Sequence, residues 1–437
     1  MVNSTFRGAE PSWANACVGE NGQPDYVDYA KGFSAAANLL ISRVIDDNGV
    51  HHYVDELIYP ICFNMRHSVE LRLKGAIKEI SQLANLLGKG FTFSLSGSHD
   101  IGIIWKFFSD NSASLDKRYA AINSKIDTTI TDIAEIDPTG QVFRYPESND
   151  CIKHLVDVSI INIVVLRDKF SELEHNLNEL HRLSVWLNRE YRLSTFTSKL
   201  SRPMLYQIAK MLPHKSTWAE IDFDAIKEKI KNQFSLSNND FNRAICKIKS
   251  QHTLSAMIGE VIPLSGVTEE YLFTFFDEWF KSHQDLLNSN YEDAKSVLIH
   301  IATPSLLDEI MDDINKDAMA FKALANTLSI EKLAGLKALF YFARDREFVE
   351  LYRTIYENYL NEYSHYQDQG AVALKDAFLH LFRKSNAIHN ILQSLYILGY
   401  VDIAEALIAR YKLESAFSWL EKARRGELYK YPKFSDY

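Results

Sequence analysis

Arg66-His67-Ser68-Val69-Glu70-Leu71-Arg72-Leu73-Lys74 decides how this chain folds. It lies in a run where Cys62, Met65, Val69, Leu73, Ala76, Ile80, Leu83 and Leu87 recur every three or four residues, the rhythm of one buried helical stripe. Arg66, Glu70 and Lys74 follow at i, i+4 and i+8, so they line one side of the same helix. Such a ladder is ordinary on a surface, where each pair contributes only about 0.2–0.5 kcal/mol. A solvated face is therefore the bland reading of these nine residues.

Working outward, the helix is expected from about Val54 to Leu87, with Pro60 a candidate break and Gly88-Lys89-Gly90 its end. Before it, Tyr29, Phe33, Ala36, Leu39, Leu40 and Val44 mark a helix from Tyr26 to Ile45, stopped by Asp46-Asp47-Asn48-Gly49. Residues 1–24 read as a polar leader. After it, Ser96-Gly97-Ser98 leads into His99-Asp100-Ile101, a helix start that Ser98 or Asp100 can cap. A polar helical stretch follows, then a turn at Ile136-Asp137-Pro138-Thr139-Gly140, then Phe143-Arg144-Tyr145-Pro146 and a long helix from Ile152 to Arg189. Residues 25–192 thus read as one helical domain. Residues 195–262 read as a basic helical segment divided by Pro213 and by 235–239. Residues 266–437 read as a C-terminal domain of helical hairpins, with loop signals at Asn288–Asn290, Thr303-Pro304, Gln369-Gly370 and Gly399. The fold class is all-α.

Composition narrows the function. The 437 residues hold only 17 Gly and 10 Pro, too few for many short strands. A net charge of −9 argues against coating long nucleic acid, which calls for Lys and Arg, but leaves room for a small basic cleft. Residues 199–250 carry ten Lys or Arg against five Asp or Glu, although a charged helical face explains that equally. Cys17, Cys62, Cys151 and Cys246 fit neither a zinc ribbon nor a disulfide framework, so a reducing cytoplasm is expected. The most apolar stretch, Val156 to Leu166, is too short for a bilayer, and no membrane partner is expected. Trp105, Trp186, Trp218 and Trp279 fall on apolar faces as core residues.

The order of a Glu/Lys helix, a His-Asp opening the next helix, and an Arg-Tyr-Pro before the last resembles the HEPN families over roughly residues 30–190. The resemblance implies a four- or five-helix bundle, often a homodimer, in toxin–antitoxin, abortive-infection or other phage-defence systems. It also implies RNA or nucleotide as ligand, with Arg66, His67, Glu70, Lys74, His99, Asp100, Arg144 and Tyr145 as candidate binding residues. Some members cut RNA without metal through an Arg and a His separated by four to six residues. In those members the Arg steadies charge at phosphorus and the His moves the 2′-OH proton. No such pair occurs between 30 and 190, where Arg167 and His175 are too far apart. The pattern occurs cleanly at Arg383-Lys384-Ser385-Asn386-Ala387-Ile388-His389, making Arg383 and His389 the candidate catalytic pair.

Two other readings compete. His67, His99-Asp100 and Asp157 or Asp168 superficially resemble an HD-type metal phosphohydrolase, although a polar loop, Ser94 to Ser98, stands where that family has an apolar helix. The chain also reads as a non-catalytic scaffold whose charged ladder locks a dimer and whose C-terminal hairpins dock a protein encoded nearby. For Arg144, pairing with Glu70 inside the bundle stands level with holding a phosphate beside Tyr145. His51-His52 reads as surface decoration. No phosphate-binding glycine loop or dinucleotide fingerprint is present, and no cofactor is expected.

Overall fold

Long amphipathic helices with few breakers dominate the computed structural model, which describes residues 3–148, 150–220, 222–283, 304–365 and 371–435. The described residues are all-α: they contain no strand, only an isolated antiparallel bridge between Glu147 and Lys153. The loop signals at Asn288–Asn290, Thr303 and Gln369-Gly370 lie outside the described residues. The chain divides into two compact units, Met1–Arg192 and Leu193–Tyr437.

The first unit holds α1 (Tyr26–Asp46), α2 (Val54–Leu86), α3 (Ile101–Leu115), α4 (Tyr119–Ile136) and α5 (Ile163–Arg192). Helix α2 packs against α1, α3 and α5, so it is the hub of the bundle. Its stripe is as expected up to the last residue: Cys62, Met65, Val69, Leu73, Ala76, Ile80 and Leu83 are buried, whereas Leu87 lies past the helix end and is half-buried. It also runs unbroken through Pro60, which sits in the second turn, where the loss of one N–H leaves the rest of the ladder intact. The other ends of the bundle are capped locally. Asp25 makes a capping box with Asp28, and the Asp100 carboxylate accepts from the Ile103 N–H at 2.9 Å.

Two expectations need correction. The buried stripe of α1 is Val27, Ala30, Ser34, Ala37, Ile41 and Val44, whereas Tyr29 and Leu39 are exposed. Small residues let α1 lie close on α2, and a Cβ placed on Gly75 would come within 3.2 Å of Val27. Likewise α5 begins at Ile163, not Ile152, because Asn162 caps it by accepting from the Val164 and Val165 N–H groups at 2.9 and 3.1 Å. The residues before it cannot be helical: Cys151 and Leu155 have φ of 59° and 56°.

Among the described residues the second unit holds helices Arg202–Met211, Phe223–Phe234, Asn238–Lys249 and His252–Met257, then Glu269–Ser282 and seven further helices that end with Leu420–Arg424. Residues 200–258 and 267–423 keep separate apolar cores. A buried ion pair joins these parts of the unit, Arg202 donating to Glu350 at 3.0 Å while Thr195 donates to the same carboxylate at 2.6 Å. Of the four tryptophans expected inside, Trp105, Trp186 and Trp279 are buried; Trp218 is half-buried and stacks on Phe223.

A second buried charge cluster closes the far end of the bundle, where Arg118 donates to Asp116 at 2.9 Å and to Glu190 at 2.7 Å. Tyr191 also donates to Asp116, and Trp186 to Glu190. Removing the cation strands two carboxylates away from water. Arg118→Met is therefore expected to destabilise the first unit by about 3–5 kcal/mol, read as earlier loss of amide-exchange protection in α4 and α5 during urea unfolding. A change below about 1 kcal/mol would mean the cluster is effectively solvated.

Candidate functional site

Helix α2 places one carboxylate, Glu70, where water cannot reach it: its side chain is 3% exposed. One turn before it, Arg66 donates to Glu70; one turn after, the Lys74 ammonium donates at 2.8 Å. Both cations are themselves buried. The ladder is thus an interior network and not a solvated face. Burial alone would raise the Glu70 carboxyl. The hydrogen-bonding contacts of His67 and Lys74, the charge of Arg66 and the bond to His99 outweigh it, and hold the group well below its ordinary value of 4.5.

Arg66 has more donors than Glu70 can use, and the turn after α4 supplies acceptors for them. Its Nε donates to the Asp137 carbonyl at 3.1 Å, and its Nη2 to the carbonyls of Pro138, at 2.6 Å, and His99. The Asp137 carboxylate, fully buried, accepts from the Gln141 and Val142 N–H groups at 2.9 and 3.2 Å and holds the turn in shape. Gly140, at φ +79°, lies against the guanidinium: a Cβ there would sit 3.0 Å from Nη1. Nearby Cys62 is buried, and burial together with the Asp137 charge pushes its thiol up to about 12, so it is no nucleophile at neutral pH.

The rim of this network is wet. His99 Nδ1 lies 3.0 Å from Glu70, yet its side chain is 59% exposed. An ionised carboxylate only accepts, so Nδ1 carries the proton and the lone pair of a neutral ring lies on Nε2. His67 Nδ1 is 3.8 Å from Glu70, and its ring packs edge-on against Phe33 and parallel to Phe63, with centroids 4.5 and 5.7 Å apart. Arg144 continues the row. Its guanidinium lies over Phe63 at 5.6 Å and over Tyr145 at 5.1 Å, and donates to the Tyr145 hydroxyl at 3.1 Å.

The candidate residues are therefore brought together unevenly. Arg66, His67, Glu70, Lys74 and His99 form one network, with Asp100 beside it as the cap of α3. Arg144 and Tyr145 reach it only through Phe63 and His67, so the expected alternative of an Arg144–Glu70 pair is replaced by cation–aromatic contact. Arg383 and His389 lie in the other unit with separate partners. Arg383 donates to Asp317 at 2.6 Å, and His389 Nδ1 accepts from the Trp419 indole at 3.1 Å, its ring edge-on to both Phe417 and Trp419. The HD-type ligand set is not assembled: among the described residues no group of three or more His, Cys, Asp or Glu is placed to hold a metal ion. Asp157 is exposed and Asp168 pairs with Arg167. The basic segment is partly neutralised by ion pairs such as Lys199–Asp240 and Lys215–Glu260. No helix among the described residues is long and apolar enough to cross a membrane.

Phe63 and the carbonyls of Asp137 and Pro138 were not foreseen. Phe63 stands one turn before His67 on α2, a spacing that signals contact; the carbonyls leave no mark in side-chain identity. Fold and site together define an all-α protein built on a buried charge network with a histidine and arginine rim. Comparison with known proteins finds no matching family model, no matching curated protein and no matching solved structure.

Glu70→Gln would leave two buried cations facing a neutral amide and is expected to cost about 3–5 kcal/mol at neutral pH. A depressed carboxyl adds stability above its unfolded value and loses it as acid protonates the folded group. Unfolding free energy of the native protein should therefore fall as pH drops below about 4.5, with a shallower fall in Glu70→Gln. Parallel acid profiles for the two proteins would show that Glu70 is not held ionised.

Proposed function

We propose that the first unit is a HEPN-like RNA-binding module whose ligand lies along the rim formed by His99, His67, Arg144 and Tyr145. One observation carries the reading: a buried anion orients His99, which remains open to solvent, near an arginine stacked on aromatic rings. Arginine planes and aromatic faces are what unstacked RNA bases and phosphates bind. The acidic chain as a whole confines that binding to a short patch.

The same arrangement supports scission without a metal. His99 Nε2 takes the proton of a 2′-OH, the oxygen attacks the neighbouring phosphorus, and the 5′-oxygen leaves as a hydroxyl by taking a proton from water, giving a 2′,3′-cyclic phosphate. The first unit is favoured over Arg383 and His389 as the centre because each of those two is already engaged by a side chain of its own unit. A role in phage defence or as a dimeric toxin belongs to this proposal as its biological setting.

The expected outcome is that purified protein retards single-stranded RNA in a gel and yields cyclic-phosphate fragments in EDTA. Arg144→Ala should weaken retention roughly tenfold, and His99→Ala should abolish fragments while retention persists. RNA left unbound at low salt would end the reading in favour of a scaffold. Fragments that persist in His99→Ala and disappear in His389→Ala would move the centre to the second unit.

A further inference from the structure

We propose that the cavity beneath Arg144 is a pocket for one nucleoside monophosphate unit, which rests on the RNA-binding reading above and specifies its ligand. The first turns of α2 together with residues 142–146, 154, 155 and 158–161 line a cavity of about 690 Å³, inside the range of small-molecule sites, about 300–1,000 Å³. Everything that lines it belongs to the first unit.

Its chemistry is selective. Arg144 is the one permanent cation among the described residues of the lining, and none of them supplies a carboxylate that pairs with it. Phe63 and Tyr145 fix its guanidinium plane, so its remaining N–H groups are aimed without a large entropy cost at an anion. Tyr59 and Tyr145 contribute half-exposed rings to the same cavity, where a flat base can stack. His154 and Ser159 add polar side chains to the same lining. Asp55, also in the wall, can accept from a ribose hydroxyl or a base amine and opposes a second and third phosphate.

The loop that closes the cavity stores strain. Leu155, a bulky residue in the wall, holds φ of 56°, and Cys151 holds 59°. Left-handed conformations in such residues persist where surrounding structure enforces them, and they cluster at ligand sites.

The test uses the full chain with AMP, GMP, CMP and UMP in turn, each followed by calorimetry, and with adenosine and ATP as controls. At least one monophosphate should bind saturably. Removing its phosphate should weaken binding roughly tenfold or more, and adding two phosphates should not tighten it. Arg144→Gln and Tyr59→Ala should each weaken it by a similar factor, with unchanged thermal unfolding, since both side chains are exposed at the mouth. Equal affinity in Arg144→Gln, or no saturable binding of any monophosphate, overturns the inference. RNA retained in a gel but displaced by none of the four monophosphates also overturns it, while leaving the RNA-binding reading intact. A monophosphate that binds where RNA does not supports the pocket, for a free nucleotide, and removes the RNA-binding reading instead. If neither binds, both fall.

Discussion

A carboxylate withdrawn from water must find charge and hydrogen bonds inside the protein, and Glu70 imposes that condition on the whole first unit. Arg66 and Lys74 answer it from the same helix, at the spacing a helix gives for nothing. Arg66 then needs acceptors of its own, which draws in the carbonyls of Asp137, Pro138 and His99. The turn after α4 and the start of α3 are thereby tied to the middle of α2. Ile101 N–H completes the knot by donating to Pro138 at 2.9 Å. A buried network of this kind is poor as a source of net stability but strict as a specifier of geometry, because any other arrangement leaves a charge stranded.

What could be read from the residues follows from how each feature is encoded. The stripe of α2 repeats one physical demand over many residues, so its periodicity was legible, as was the cap at Asp100. The stripe of α1 was misplaced because two apolar rows lie side by side on that helix. The row that packs is the one rich in small residues, chosen by closeness to Gly75 and not by hydrophobicity. The start of α5 was masked by apolar content: Val156, Ile160 and Ile161 resemble a buried helix, although Val156 and Ile160 are exposed and Ile160 and Ile161 line the cavity. Asn162 was the available signal. That the charged ladder is interior could not be read from the ladder itself, since burial depends on partners contributed by residues 99 and 137–140.

Exposure divides the labour within the site. Glu70, Arg66 and Lys74 are nearly sealed, while His99 and Arg144 are open. A sealed network cannot meet a ligand, but it can fix the direction of what it holds. His99 is aimed by a hydrogen bond to a permanent anion, and Arg144 by aromatic faces rather than by an ion pair. The difference matters, because an arginine neutralised by a carboxylate has its strongest attraction already spent on the protein, whereas one stacked on rings keeps its charge for an incoming phosphate.

The contrast between satisfied and unsatisfied groups locates function more sharply than the distribution of charged residues does. The second unit has many ion pairs, and its candidate residues Arg383 and His389 are each matched to a neighbour. The basic segment is likewise paired in part, through Lys199, Lys215 and Lys231. In the first unit the charges of the buried hub are paired in the same way, whereas Arg144 at the cavity meets aromatic rings and no carboxylate. There a cavity wall holds an arginine with no anion and a leucine in a left-handed conformation. Groups that satisfy each other build the fold. Groups left wanting, inside a space large enough for a nucleotide, are the ones a ligand would complete.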